Sequence, residues 1–158
     1  MLDRLGDLGA RVAPLDVGLD EEPAREWATG ASPLHALVFG SGPTFGDGGQ
    51  VELGEALERA WVAIRGVATG ALIPGGAGTV LLIAPRAGAG SYAAPARAGL
   101  ENLARTLSVE WARYGVITVA ATPDARTSDE ELAELVCFLV SPAGDYFSGC
   151  VFELIRTS

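Results

Sequence analysis

The chain has 158 residues, 49% hydrophobic and 20% charged, a balance that supports one packed domain and excludes a disordered segment. A formal net charge of -9 argues against nucleic acid or an anionic membrane surface as partner. All eleven basic residues are arginine, so no lysine can form a Schiff base or lower the pKa of a catalytic tyrosine.

Gly, Pro or charge interrupts each apolar run before it reaches the length of a spanning helix. The start, Met1-Leu-Asp-Arg-Leu-Gly-Asp7, lacks the basic-then-apolar layout of a secretory signal, so a cytoplasmic protein is expected. Arg11-Val-Ala-Pro-Leu-Asp-Val17 reads as a strand, and Pro14, which has no N–H to donate, places it at a sheet edge. A short helix is expected from Glu21 to about Thr29, its acidic start (Asp20-Glu21-Glu22) suiting the helix dipole. His35-Ala-Leu-Val-Phe39 is the next strand. His35 is the single histidine, and with no nucleophile elbow nearby it reads as a surface or satisfied core residue.

Gly40 to Gln50 is glycine-rich and irregular. Val51 to Ile73 is helical and is stopped by Pro74-Gly75-Gly76. Thr79-Val-Leu-Leu-Ile83 is a strand that leads through a loop of small residues into a helix from Tyr92 to Arg113. In that helix Leu100, Leu103, Leu107 and Trp111 recur along one stripe, and Gly115 is placed to cap its end. Val116-Ile-Thr-Val-Ala120 is a further strand. Ser128-Asp-Glu-Glu131 has the capping-box pattern and opens a helix carrying Leu132, Leu135, Val136 and Leu139. Cys150-Val-Phe-Glu-Leu-Ile155 is the last strand. Cys137 and Cys150 read as small core residues rather than a disulfide or metal pair, and Trp27, Trp61 and Trp111 as core or interface fillers.

Strands alternating with helices indicate an α/β domain spanning 1–158, with a parallel sheet of about five strands. If the strands lie in chain order and every crossover is right-handed, all connecting helices fall on one face. The other, apolar face then needs the N-terminal segment, a reversed last crossover or another subunit to cover it. A lone monomer is not expected on that ground.

Two glycine patterns follow strands. Gly88-Ala-Gly90-Ser-Tyr-Ala93 satisfies G-x-G-x-x-A, but the acidic residue at the required distance, Glu110, falls mid-helix rather than at a strand end. Gly40-Ser-Gly42-Pro-Thr-Phe-Gly46 has no helix starting where a phosphate would sit. Both read as turns. The acidic clusters at Asp20 and Asp129 read as helix caps before metal ligands, and no metal is expected.

The segment Thr79 to Leu100 resembles the catalytic segment of the short-chain dehydrogenase/reductase family, which carries a Ser after the strand and Tyr-x-x-x-Lys before Ala-Gly-Leu. Aligned on Ala98-Gly99-Leu100, those positions hold Pro85, Ala93 and Arg97. Leu15-Asp16-Val17 resembles the end of the family's third strand, where the Asp approaches adenine. Pro33 to Gly42 resembles the fourth strand and its Asn-Asn-Ala-Gly signature, and the tetrad Asn falls near Trp61. Val116 to Pro123 resembles the sixth strand, and Ser128 to Leu154 the terminal helix and strand. The family's N-terminal β-α-β unit with its glycine-rich turn has no counterpart in the sequence, nor has the substrate lid between Asp124 and Ser128.

The resemblance implies a Rossmann-like domain, shortened and degenerate at its catalytic positions, with no cofactor expected although NAD(P) is the family default. Asp16, Gly88 and Gly90 are the weak cofactor-contact candidates. The catalytic candidates are Tyr92, Arg97 and Ser91. Tyr92 and Arg97 stand five apart, one more than the i, i+4 spacing that would stack them; Pro95 between them is tolerated only in a first helical turn, where a local distortion would restore their proximity. The halohydrin dehalogenases, relatives of the family, use Arg in place of the Lys and need no nicotinamide. Three functions follow as expectations: an assembly subunit associating with itself or a full-length relative through helices 51–73 and 92–113; a cofactor-independent dehalogenase-like enzyme, lyase or isomerase; or a residual NAD(P)-dependent oxidoreductase.

Overall fold

Four short apolar runs pair into one parallel sheet: β1 (Ala36–Gly40), β2 (Gly78–Ile83), β3 (Val116–Pro123) and β4 (Val151–Leu154). The computed structural model describes residues 2–16, 20–40 and 50–155. Spatial order follows the chain, β1-β2-β3-β4. Leu37 lies beside Val80, Val80 beside Thr118 and Ala120 beside Val151. β2 and β3 are buried along almost their whole length, which is why they read as unbroken apolar segments.

Among the described residues five α-helices flank the sheet: α1 (Leu2–Asp7), α2 (Glu21–Ala31), α3 (Gln50–Val67), α4 (Ala93–Glu110) and α5 (Asp129–Leu139). α3 continues through a π-turn, Ala68–Leu72, and a last turn, Ile73–Gly75. Around the π-turn the hydroxyls of Thr69 and Thr29 donate to the carbonyls of Arg65, Gly66 and Gly70. Side chains thus supply donors where the regular ladder is disturbed. α2 packs on α3 along small residues. A Cβ at Gly66 would stand 2.6 Å from the Glu21 carbonyl oxygen and 2.8 Å from Ala24 Cβ, and one at Gly70 2.5 Å from the Arg25 carbonyl oxygen.

The core has two sides. Ile64 and Leu72 from α3 and its extension, with Leu100 and Leu107 from α4, cover Val80, Leu82, Val116 and Ala120. On the opposite face, Val136 and Leu139 of α5 and Leu5 of α1 cover Leu81, Ile83, Val119 and Ala121. Trp111 is buried and stacks on half-buried Trp61, ring centroids 6.2 Å apart. The capping box at Ser128 is complete: its hydroxyl accepts from the Glu131 N–H, and Glu131 accepts from the Ser128 N–H. Gly115 adopts φ +71° after the 3-10 turn Ala112–Tyr114, and a Cβ there would meet the Gly76 carbonyl oxygen at 2.4 Å.

Four expectations need correction. The sheet has four described strands, not about five, because residues 11–16 form no strand. Pro14 lacks a ladder donor, and Leu15 instead packs against the Ala28–Val67–Ala71 cluster between α2 and α3. The second face is not bare: β3–α5–β4 runs with the opposite hand to the two earlier crossovers, placing α5 there with α1. The topological case against a monomer falls with that. Glu110 closes α4 rather than lying mid-helix. Cys150 is exposed just before β4, while Cys137 is half-buried, and both are free thiols.

Candidate functional site

The connections leaving β2 and β3 part company at the carboxyl ends of the strands. β2 feeds α4 on one face and β3 feeds α5 on the other, an arrangement that opens a crevice where parallel sheets bind ligands. In this chain two arginines cross that crevice. Arg97, in the second turn of α4 and half-buried, donates from Nη1 to the carbonyls of Pro85 (2.8 Å) and Pro123 (2.7 Å). Its Nη2 reaches the Thr122 carbonyl at 3.5 Å. Arg86 donates to the Thr127 carbonyl and pairs with the Asp129 carboxylate at the start of α5.

The chemistry suits the place. Strand ends leave carbonyls without a ladder partner, and a guanidinium presents several donors in a fixed fork. Main-chain bonds tighten the same closure: Ala84 N–H donates to the Ala121 carbonyl at 2.9 Å and Ala87 N–H to the Pro123 carbonyl at 3.2 Å. The Pro123 oxygen therefore accepts from both Ala87 and Arg97.

The other candidates are scattered around this strut. Pro85 and Ala93 are buried and bring no reactive group. Ser91 is exposed on the turn ahead of α4. Tyr92 is the residue before α4 (φ -105°, ψ 8°), half-buried, and among the described residues its hydroxyl has no hydrogen-bond partner. No hydrogen bond joins Tyr92 to Arg97. Trp61 stacks on Trp111 and lies beneath the Arg65 guanidinium at 5.3 Å, engaged in the packing of α3. His35 is exposed, and its carbonyl accepts from the Thr79 N–H at 3.0 Å.

The loop from Gly88 to Ala93 is folded partly on its own backbone. Gly88, at φ +74°, bends the loop so that Ala89 N–H donates to the Arg86 carbonyl. Ala93 N–H is taken by the Gly90 carbonyl, and Pro95 has no N–H. The amides of Gly90, Ser91, Tyr92 and Ala94 donate to no main-chain acceptor among the described residues. Asp16 is exposed in the irregular segment before α2, and the Gly40–Gly46 pattern lies largely outside the described residues. Among the described residues no group of three His, Cys, Asp or Glu side chains could hold a metal ion. An open groove of about 470 Å³ lies elsewhere, between α1 and α5, lined by Asp3, Asp7, Glu130, Glu134 and Arg4. No described helix is long and apolar enough to cross a membrane.

The backbone architecture has well-defined counterparts among solved structures. A short-chain dehydrogenase from Mycobacterium smegmatis superposes with a TM-score of 0.75 at 24% identity, over 99% of this chain and 75% of its own. The citronellol catabolism dehydrogenase of Pseudomonas aeruginosa gives 0.71 at 20% identity, over 96% and 75%. A structure from Beutenbergia cavernae, solved with NADP at low occupancy, gives 0.64 at 23%, over 96% and 78%. The fold is that of the short-chain dehydrogenases/reductases. No family model matches the sequence, and no curated protein does.

Arg97 and Arg86 both cross the β2–β3 crevice. Arg86 escaped the sequence reading. Its only signal was a cation directly after Pro85 with an acidic helix start, Asp129, in the same chain.

Proposed function

We propose that this chain is a short-chain dehydrogenase/reductase relative without reductase chemistry of its own, serving as a subunit of an assembly. One observation carries the reading: the Arg97 guanidinium is committed to main-chain carbonyls at the ends of β2 and β3. A group held that way braces strands and has little freedom to assist proton transfer. Pro85 and Ala93 supply neither hydroxyl nor phenol.

For association, the surviving helices offer a seam. Leu53, Leu57 and Trp61 of α3 and Leu103 of α4 are half-buried along it, while Val51 and Val109 are 71% and 75% exposed. The partner is a second copy or a full-length relative meeting 51–73 and 92–113. Native mass spectrometry of the tagged chain, purified from the cells that make it, tests this. Recovery as a monomer alone overturns the subunit reading. Titration with NADH and NADPH tests the other half, and micromolar binding by the isolated chain overturns the expectation of no cofactor.

A second reading has one observation in its favour, the half-buried Tyr92 hydroxyl without a described partner. It would make Tyr92, with Ser91 and Arg97, the centre of a cofactor-independent dehalogenase-like enzyme, lyase or isomerase. Turnover that vanishes in Tyr92→Phe while the fold is kept would replace the first reading with this one.

A further inference from the structure

We draw no further inference here: the strongest candidate, the open groove between α1 and α5 lined by Asp3, Asp7, Glu130 and Glu134, is a cluster of carboxylates, and nothing among the described residues shows what would occupy it.

Discussion

Replacing Arg97 with Met keeps most of the aliphatic stem and removes every donor that spans the crevice. Two of its bonds, at 2.7 and 2.8 Å, have good lengths, and the third, at 3.5 Å, contributes little. Hydrogen bonds from a charged group are worth about 1.5–3 kcal/mol each, but Pro123 keeps its Ala87 donor, so only the Pro85 carbonyl is left without one. The expected loss is therefore about 2–4 kcal/mol, a large part of the ~5–15 kcal/mol available to a domain. With an unfolding entropy of about 2.1 cal/mol/K per residue, that corresponds to a melting point lower by roughly 6–12 °C. Urea titration followed by near-UV circular dichroism, where Trp61 and Trp111 report on packing, gives the number. Arg97→Lys supplies one point charge in place of a fork and is expected to recover about half. A Met variant within ~0.5 kcal/mol of wild type would refute the brace and return Arg97 to the list of catalytic candidates.

The α2–α3 seam gives a paired test. Gly66→Ala and Gly70→Ala push a Cβ into α2 main chain and are expected to cost about 1–3 kcal/mol, whereas Gly54→Ala, in open space on the same helix, is expected to gain about 0.5–1 kcal/mol in chemical denaturation. Ser128→Ala breaks the capping box of α5 and is expected to cost about 1 kcal/mol in the same assay. The Glu22 carboxyl is held below its ordinary value by the hydrogen bond from Arg25. That interaction stabilises above the normal glutamate range and is lost as pH falls through the lowered value. The small denaturation difference between wild type and Glu22→Gln should accordingly be present at neutral pH and vanish in acid.

Much of the architecture was legible because it depends on local pattern. Four apolar runs became four strands, three of them within a residue at each end and β3 three residues longer at its end, the Ser128 box formed, and Gly115 capped the 3-10 turn that follows α4. Features decided by long-range placement were not legible. The run at Arg11 has strand-like composition, yet Leu15 found a better place between α2 and α3 than any sheet edge could give to a segment containing Pro14. The hand of the last crossover is set by which face of β2 and β3 still needs covering. At the site, the places of Pro85, Ala93 and Arg97 between β2 and the early turns of α4 could be read from the sequence. What Arg97 does there could not, since its acceptors are main-chain oxygens from two strands that carry no mark in the sequence.

The agreement between spatial and chain order bears on how the protein is made. Each strand can join a ladder whose outer member has only just left the ribosome, so no strand has to be threaded between two others. The covering of the sheet is not equally continuous. α3 and α4 arrive with the strands they shield, but Leu81, Ile83, Val119 and Ala121 wait for Val136 and Leu139 from the final crossover. A nascent chain halted before α5 would carry a finished three-stranded ladder with one greasy side still wet. α5 is thus the latch of that face of the sheet, closed only after the ladder beneath it exists.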